Sequence, residues 1–187
     1  LPPGDPMNKK QLSALALFLA TLIWGSAFTA QSIGMDYIGP FTFQAVRCAL
    51  AVIGLMPIIF IVDKKSGRSF RKEWANKQLW LGGLLCAIPL FLAANLQQLG
   101  IVSTGAGKSA FLTAMYIVIV PILGMFMGRK PSPMVPISVI VAVVGLYLLS
   151  CVGVTQIQVG DILLLLCALM FAVQILFVDR FAARVDA

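Results

Sequence analysis

The chain has 187 residues, of which 60% are apolar and 11% are charged, whereas soluble globular proteins carry about 45–50% apolar and about 25% charged residues. This composition, with a mean hydropathy of +0.97, excludes a disordered chain and argues against a water-soluble domain, so a lipid bilayer is the predicted surrounding. The net charge is +7, with 14 Lys and Arg against 7 Asp and Glu and no His, which alone is compatible with nucleic acid or an anionic membrane as partner.

Six apolar runs predict transmembrane helices, because a bilayer core of about 30 Å is crossed by about 20 mostly apolar helical residues. In chain order the runs cover residues 12–31, 41–62, 79–98, 108–128, 135–153 and 161–178. None alternates apolar and polar residues as the strands of a membrane barrel do. Pro57, Pro89 and Pro121 lie inside the runs and predict bends. The predicted fold class is all-α, a polytopic membrane bundle of six transmembrane helices.

The positions of the charges predict the orientation in the membrane. All Lys and Arg except Arg47 and Lys108 flank the runs on one side, mainly in the loop 64–77. The opposite loops, 32–40, 99–107 and 154–160, contain none. By the positive-inside rule the N-terminus and the C-terminal end of this chain are cytoplasmic, and we expect the plasma (inner) membrane of a bacterium. A solvated cytoplasmic loop explains the basic run, so no nucleic acid partner is predicted.

The stretch VSTGAGKSA, residues 102–110, is similar to a phosphate-binding loop but lacks its first glycine, since the chain has Val102 at that position. The predicted topology also places it outside the cell. We predict instead a turn of small residues between the third and fourth helices, with Lys108 opening the fourth near the outer surface.

No chemistry beyond binding is predicted, because no Asp or Glu lies in mid-membrane and His is absent. Hydrolases need an acid–base pair or a nucleophile beside a base, and Asp36 and Asp161 lie only at the outer edge. The four cysteines have no metal-binding spacing and are read as small apolar side chains: Cys48, Cys86, Cys151 and Cys167. We predict no enzyme, no catalytic residue, no metal ligand and no cofactor.

Arg47 is predicted about 10 Å below the start of its helix, since it follows Pro40 by seven residues at 1.5 Å each. An intramembrane arginine needs protein or water around it and a partner, and Asp36 is the nearest candidate counter-ion in sequence. One interpretation is a carboxylate-binding group in an outer vestibule, and the other is a structural arginine that bridges helix ends. Other polar residues predicted in this outer half are Gln31, Asn95, Gln97, Gln98, Lys108 and Ser109.

Two aromatic residues are predicted nearer mid-membrane, Trp24 on the first helix and Tyr116 on the fourth. Helical spacing gives each a mixed aromatic and polar face: Trp24, Phe28 and Gln31, and Ser109, Thr113 and Tyr116. Such faces predict the lining of a cavity for a small amphipathic solute, and the alternative is packing of helix against helix. The predicted substrate-binding residues are Trp24, Gln31, Arg47, Asn95, Gln98, Lys108 and Tyr116.

Four stretches resemble the EamA-type branch of the drug/metabolite transporter superfamily. They are LATLIWGSAFTAQSIG in the first helix, GPFTFQAVRCALA in the second, GIVSTGAGKSAFLTAMYIVIVPILG leading through the fourth, and GDILLLLCALMFAVQILFVDRFA in the sixth. The typical member has ten helices in two inverted repeats of five around a central cavity. The resemblance implies alternating-access transport of a small metabolite, often by export. Many relatives carry a glutamate after the fourth helix where this chain has MGRKPSP, so no role is carried over from it.

The resemblance also implies the domain organisation. Residues 1–6 are read as a cloning remnant, 7–154 as the first five-helix repeat, and 155–187 as the truncated start of the second. Five helices that start inside end outside, which gives a second unit the opposite orientation. Between helices one and six the residue-level match is limited to Trp24 and Phe171, at similar depth.

We therefore expect a fragment whose partners are lipid, a small-molecule solute and the missing second half of the same transporter. Because Arg47 and Lys108 have no buried acid near them in the predicted topology, a solute with a carboxylate is favoured over a simple cation. The alternative function is a non-transporting membrane scaffold or accessory subunit, or a truncated chain made to study insertion or folding.

Overall fold

The computed structural model describes residues 8–67, 74–128, 133–151 and 157–185, and shows no strand among them. Seven helices lie in these ranges: α1 (Lys9–Met35), α2 (Pro40–Lys65), α3 (Lys77–Thr104), α4 (Ala106–Ala114), α5 (Tyr116–Phe126), α6 (Met134–Cys151) and α7 (Val159–Val185). The predicted all-α fold class is confirmed. Residues 1–6, predicted to be a cloning remnant, and the basic residues of 68–73 and 129–132 lie outside the described residues.

Five segments are long and apolar enough to cross a membrane: Lys10–Met35, Pro40–Lys65, Lys77–Thr104, Ala106–Phe126 and Val159–Phe181. The remaining predicted span corresponds to α6, which has 18 residues. Over the described residues each predicted run is therefore largely helical, and the chain is a membrane helix bundle. The helices α1, α2, α3 and α7 extend beyond the apolar runs, since polar and small residues continue the backbone hydrogen-bond ladder at their ends.

Local capping explains where three helices begin. Asn8 and Gln11 form a capping box at α1, with the backbone N–H of Asn8 donating to Gln11 Oε1 at 3.0 Å. Pro40 occupies the first position of α2, where its missing N–H leaves no bond unmade. At α3 the side chain of Asn76 accepts from the backbone N–H of Gln78 at 2.9 Å. Each cap satisfies or avoids a free backbone donor at the membrane edge.

The fourth predicted span differs from a single helix, because α4 and α5 meet at a break at Met115. There the N–H of Met115 donates to the carbonyl of Leu112 at 3.2 Å, and the N–H of Val118 donates to the carbonyl of Met115 at 3.0 Å. These are bonds of a tighter turn than an α-helix. Pro121 follows in α5 and cannot donate to the carbonyl of Ile117, so the ladder beyond the break is weakened as well.

The turn between α3 and α4 is as small as predicted from the sequence. Gly105 alone separates the two helices, with φ of 80°. That value lies in a region that residues with a Cβ rarely adopt. The stretch that is similar to a phosphate-binding loop is therefore a helix-to-helix turn.

The antiparallel pair α3 and α7 forms the centre of the bundle. At one end Gly100 faces Gly160, and a Cβ on Gly100 would lie 3.1 Å from the carbonyl oxygen of Gly160. At the other end a Cβ on Gly82 would lie 3.3 Å from the ring of Phe181. Small residues let the two backbones approach closely along their whole length.

Helices α1 and α2 and the described part of α6 are much less buried. Gln44 is the buried residue of α2, and the apolar side chains of that helix are largely exposed. The same holds for the apolar residues of α1 and for those described in α6. In a membrane such apolar faces contact lipid or further protein.

Candidate functional site

Three aromatic rings from three helices meet in one cluster, which we call the aromatic cluster: Trp24 of α1, Tyr116 of α5 and Phe171 of α7. The rings of Trp24 and Tyr116 are stacked with centroids 6.3 Å apart. Phe171 lies 6.1 Å from Trp24, edge to face, and 6.2 Å from Tyr116. These separations are typical of attractive aromatic pairs.

The aromatic cluster has a buried side and an open side. Phe171 is buried against Ala93 and Cys167, and the partly buried side chain of Tyr116 packs against these three residues. Trp24 is 45% exposed. The cluster is thus anchored in the core through α7 and presents one indole face at the edge of the described residues.

The chain positions these rings by different means. Trp24 lies on the continuous helix α1, and Phe171 lies on the most buried stretch of α7. Tyr116 is the first residue of α5, directly after the break at Met115. The sequence predicted Trp24 and Tyr116 at similar depth as residues that line a cavity, and the structure places their rings in contact. Phe171 was not among the predicted binding residues. The match between Trp24 and Phe171 at similar depth was the sequence signal that could have identified it.

Arg47 is held by a glutamine rather than by a carboxylate. Its Nη1 donates to Gln31 Oε1 at 2.6 Å, between α2 and α1. The same amide donates from Nε2 to the carbonyl of Ala27 at 3.0 Å, which fixes which side of Gln31 faces Arg47. The expected counter-ion Asp36 is instead exposed at the end of α1. Arg47 is therefore positioned by a neutral group.

Arg47 and the aromatic cluster share one side of α1. Gln31 follows Trp24 by seven residues, which is about 10 Å along the axis and close to two full turns. The two side chains consequently lie on one face of α1, with buried Phe28 between them. Arg47 therefore meets this face of α1 nearer the C-terminal end of the helix than Trp24.

Lys108, also predicted to bind solute, is engaged in an ion pair. Its Nζ lies 2.7 Å from Asp161 Oδ2, between the first turns of α4 and α7. The sequence placed Asp161 at the outer edge, and the structure shows it buried there. The positive charge of Lys108 is compensated within the chain, which sets it apart from Arg47.

No hydrogen bond among the described residues links Asn95 or Gln98, the predicted binding residues of α3, to the aromatic cluster. Asn95 donates to the carbonyl of Phe91 in its own helix at 2.8 Å. Gln98 is 1% exposed, and neither of its amide atoms has a hydrogen-bond partner among the described residues. Its neighbour Gln97 donates to Thr113 Oγ1 at 3.3 Å and links α3 to α4.

A separate apolar groove of about 410 Å³ lies at the other end of α3. Its lining residues are Trp74, Leu79, Trp80, Gly83, Leu84 and Ala87. Trp80 donates from its indole N–H to the carbonyl of Trp74 at 2.7 Å, and the two rings pack edge to face. The sequence did not single out this groove, because its lining is apolar like the rest of the helix.

The chemistry of the candidate site is that of binding. Around it lie aromatic faces, one guanidinium and an amide. Within the described ranges no three His, Cys, Asp or Glu residues are grouped to hold a metal ion. Such a set of groups offers an apolar surface together with hydrogen-bond donors and acceptors.

Apolar helices of membrane-spanning length, with polar and aromatic side chains between them, define a polytopic membrane protein. Residues 11–151 match the EamA-like transporter family, and the chain belongs to that family.

Two curated relatives are similar to the chain. It is 33% identical over 181 residues to an uncharacterized transporter of Archaeoglobus fulgidus. The aligned region covers 96% of this chain and 53% of the relative. It is 26% identical over 145 residues to the uncharacterized transporter YrdR of Bacillus subtilis. That aligned region covers 74% of this chain and 44% of the relative. The chain thus spans about half the length of the curated relatives it matches. No solved structure matches it.

Proposed function

We propose that the chain forms part of a membrane transporter that moves a small metabolite or drug-like solute by alternating access, in the direction of export. The observation that carries this proposal is the aromatic cluster, which joins residues distant in sequence at one point of the bundle. Its family and both relatives are named as transporters, which favours transport over catalysis.

The composition of the aromatic cluster supports a site between two repeats. Trp24 and Tyr116 belong to the predicted first repeat, residues 7–154, and Phe171 belongs to the predicted second. Solute sites of many transporters lie where two repeats meet, and they are built by interrupted helices. The break at Met115, directly before Tyr116, is such an interruption.

The distribution of charges along α3 and α7 supports a cytoplasmic N-terminus in the plasma (inner) membrane of a bacterium. Lys77 begins α3 and Arg180 lies near the end of α7, and both are exposed at the end where Gly82 meets Phe181. At the opposite end the cation Lys108 is neutralised by Asp161. An excess of exposed basic residues at one end is typical of the cytoplasmic side.

The alternative, a non-transporting scaffold or accessory subunit, is favoured by one feature. Among the described residues, the apolar side chains of α2 are almost all exposed. They form a surface suited to contact with another membrane helix. The same surface suits the remaining half of a transporter. A transport measurement separates the two functions.

The test uses the protein at the length that its gene encodes, purified and reconstituted in liposomes loaded with a mixture of labelled metabolites. We expect exchange of at least one solute, and we expect Trp24→Ala and Tyr116→Ala to lower its rate at least about tenfold, as loss of a well-packed contact of about 1.4 kcal/mol does. Trp80→Ala is the matched control, since it removes another exposed indole far along the chain from the site. Absence of exchange for every solute in intact, folded protein supports the scaffold.

A further inference from the structure

The two cations predicted inside the outer half of the membrane have different partners. Lys108 lies 2.7 Å from the carboxylate of Asp161, whereas Arg47 donates to the amide oxygen of Gln31. Among the described residues no carboxylate pairs with Arg47. A guanidinium has five N–H donors, and one bond to Gln31 leaves most of them for another group.

We infer that Arg47 binds the carboxylate of an amphipathic anionic solute whose apolar part lies on the aromatic cluster. This inference rests on the proposed transport function and names the class of solute. A positive charge inside a membrane is unfavourable without a partner, and here the solute supplies the negative charge. Guanidinium and carboxylate match in geometry and form two parallel hydrogen bonds.

The length of the solute follows from the position of the two contact points. Gln31, which accepts the hydrogen bond from Arg47, lies about 10 Å from Trp24 along the axis of α1 and on the same face of the helix. A molecule with an aromatic or aliphatic body and a carboxylate at one end reaches both. A smaller anion contacts Arg47 alone and gains nothing from the rings.

The absence of a free acid near the site disfavours cations. Among the described residues, Asp161 is engaged by Lys108, and Asp36 is exposed at the loop end of α1. A lipophilic cation therefore meets the charge of Arg47 with no carboxylate to offset it. Like charges at short range are repelled more strongly in a membrane than in water, because the dielectric is lower.

Gln31 acts here as a positioning residue. Its Nε2 is bound to the carbonyl of Ala27, so its Oε1 is directed at Arg47. Gln31→Glu keeps the size of the side chain and places a carboxylate at the guanidinium. That substitution supplies an internal counter-ion and competes with the solute.

The experiment uses the protein at its encoded length in liposomes and a series of phenyl-substituted carboxylates of increasing chain length. Each acid is paired with its primary amide, which has nearly the same shape and no charge. We expect the wild type to exchange the acid roughly 10- to 100-fold better than the amide, the range for a hydrogen bond to a charged group. Arg47→Gln reduces this ratio to near one, and Arg47→Lys keeps part of it.

Gln31→Glu distinguishes binding from a structural role, because we expect it to lower exchange of the acid much more than exchange of the amide, so that their ratio falls to near one. Gln78→Glu, the same change at an exposed position of α3, is the control and keeps the wild-type ratio. Equal loss of acid and amide in Arg47→Gln overturns the inference and makes Arg47 structural. Equal exchange of acid and amide by the wild type overturns it while leaving the transport function intact.

Two further outcomes have separate meanings. If the ratio appears in neutral lipid and vanishes with phosphatidylglycerol, a lipid phosphate occupies Arg47, and the inference is overturned. If no solute of any class is exchanged, the proposed transport function fails and the inference fails with it.

Discussion

Lys108 and Asp161 form an ion pair that joins the first turns of α4 and α7, with side chains only 15% and 10% exposed. Asp161 also accepts the backbone N–H of Gln158 at 3.1 Å, which fixes its carboxylate at the start of α7. The N-terminus of a helix favours a negative charge and disfavours a positive one. The positive charge of Lys108, in the first turn of α4, is therefore stabilised mainly by the carboxylate of Asp161.

Removing one member of this pair is expected to destabilise the protein strongly. Lys108→Met leaves the carboxylate of Asp161 nearly buried without its partner, and we expect a loss of about 2–3 kcal/mol, somewhat below the range for fully buried pairs because water still reaches both groups. Thermal melting in detergent measures it. In the double variant Lys108→Met/Asp161→Leu we expect much of the loss to be recovered, and a double variant as unstable as the sum of the singles contradicts this account.

The close crossing of α3 and α7 predicts a second effect. A Cβ on Gly160 would lie 2.9 Å from the carbonyl oxygen of Gly100, a backbone atom that cannot turn aside. Gly160→Ala is expected to destabilise the fold by about 1–3 kcal/mol, as overpacking of a tight contact does. Gly54→Ala on α2 is the matched control, because nothing lies within 4 Å of its Cβ position and alanine favours the helix. Equal melting temperatures of the two variants would falsify the close approach.

The helices were predictable from sequence because hydropathy over about 20 residues decides them locally. The break at Met115 was not, because Met115 is a good helix former and the tighter turn depends on the surroundings of α4 and α5. The turn at Gly105, by contrast, was predictable, because a glycine lies there between two apolar runs. Local chemistry thus determined the elements, and tertiary contact determined their irregularity.

The candidate site was predictable only in part for the same reason. Depth along a helix follows from counting residues, so Trp24 and Tyr116 were both predicted near mid-membrane, and their rings lie 6.3 Å apart. Partner choice depends on how helices rotate against one another, which the sequence does not encode locally. Asp36 was the nearest acid to Arg47 in sequence, yet Gln31 faces it, and Asp161, 53 residues away from Lys108, pairs with that cation.

Phe171 is expected to contribute to solute affinity through its ring. Phe171→Leu keeps an apolar side chain against Ala93 and Cys167 but removes the aromatic contacts to Trp24 and Tyr116, each worth about 0.5–1.5 kcal/mol beyond burial. We expect KM for an exchanged solute to rise roughly 2- to 10-fold with a small change in melting temperature. Phe177→Leu, which alters the separate ring pair with Phe181, is the control and leaves KM unchanged. A rise in KM in both variants argues against a specific role for the aromatic cluster.

A buried polar link between α3 and α4 allows the last prediction. Thr113 Oγ1 accepts a hydrogen bond from Gln97 Nε2 at 3.3 Å. Thr113→Val keeps the shape and removes the hydroxyl, so the amide of Gln97 loses its partner in an apolar surrounding. We expect a loss of about 1 kcal/mol, within the range of interhelical hydrogen bonds in membranes, measured by thermal melting in detergent.

Two further variants test whether the hydroxyl of Thr113 contributes to stability. Thr113→Ser keeps the hydrogen bond and loses one methyl group, so it is expected to melt above Thr113→Val if the hydroxyl outweighs the methyl. Thr42→Val, at an exposed position of α2, is the matched control and should change stability by less than about 0.5 kcal/mol. If Thr113→Val melts at or above the wild type, the link between Gln97 and Thr113 adds no stability. Packing of the methyl group against the neighbouring helices then explains why Thr113 is buried.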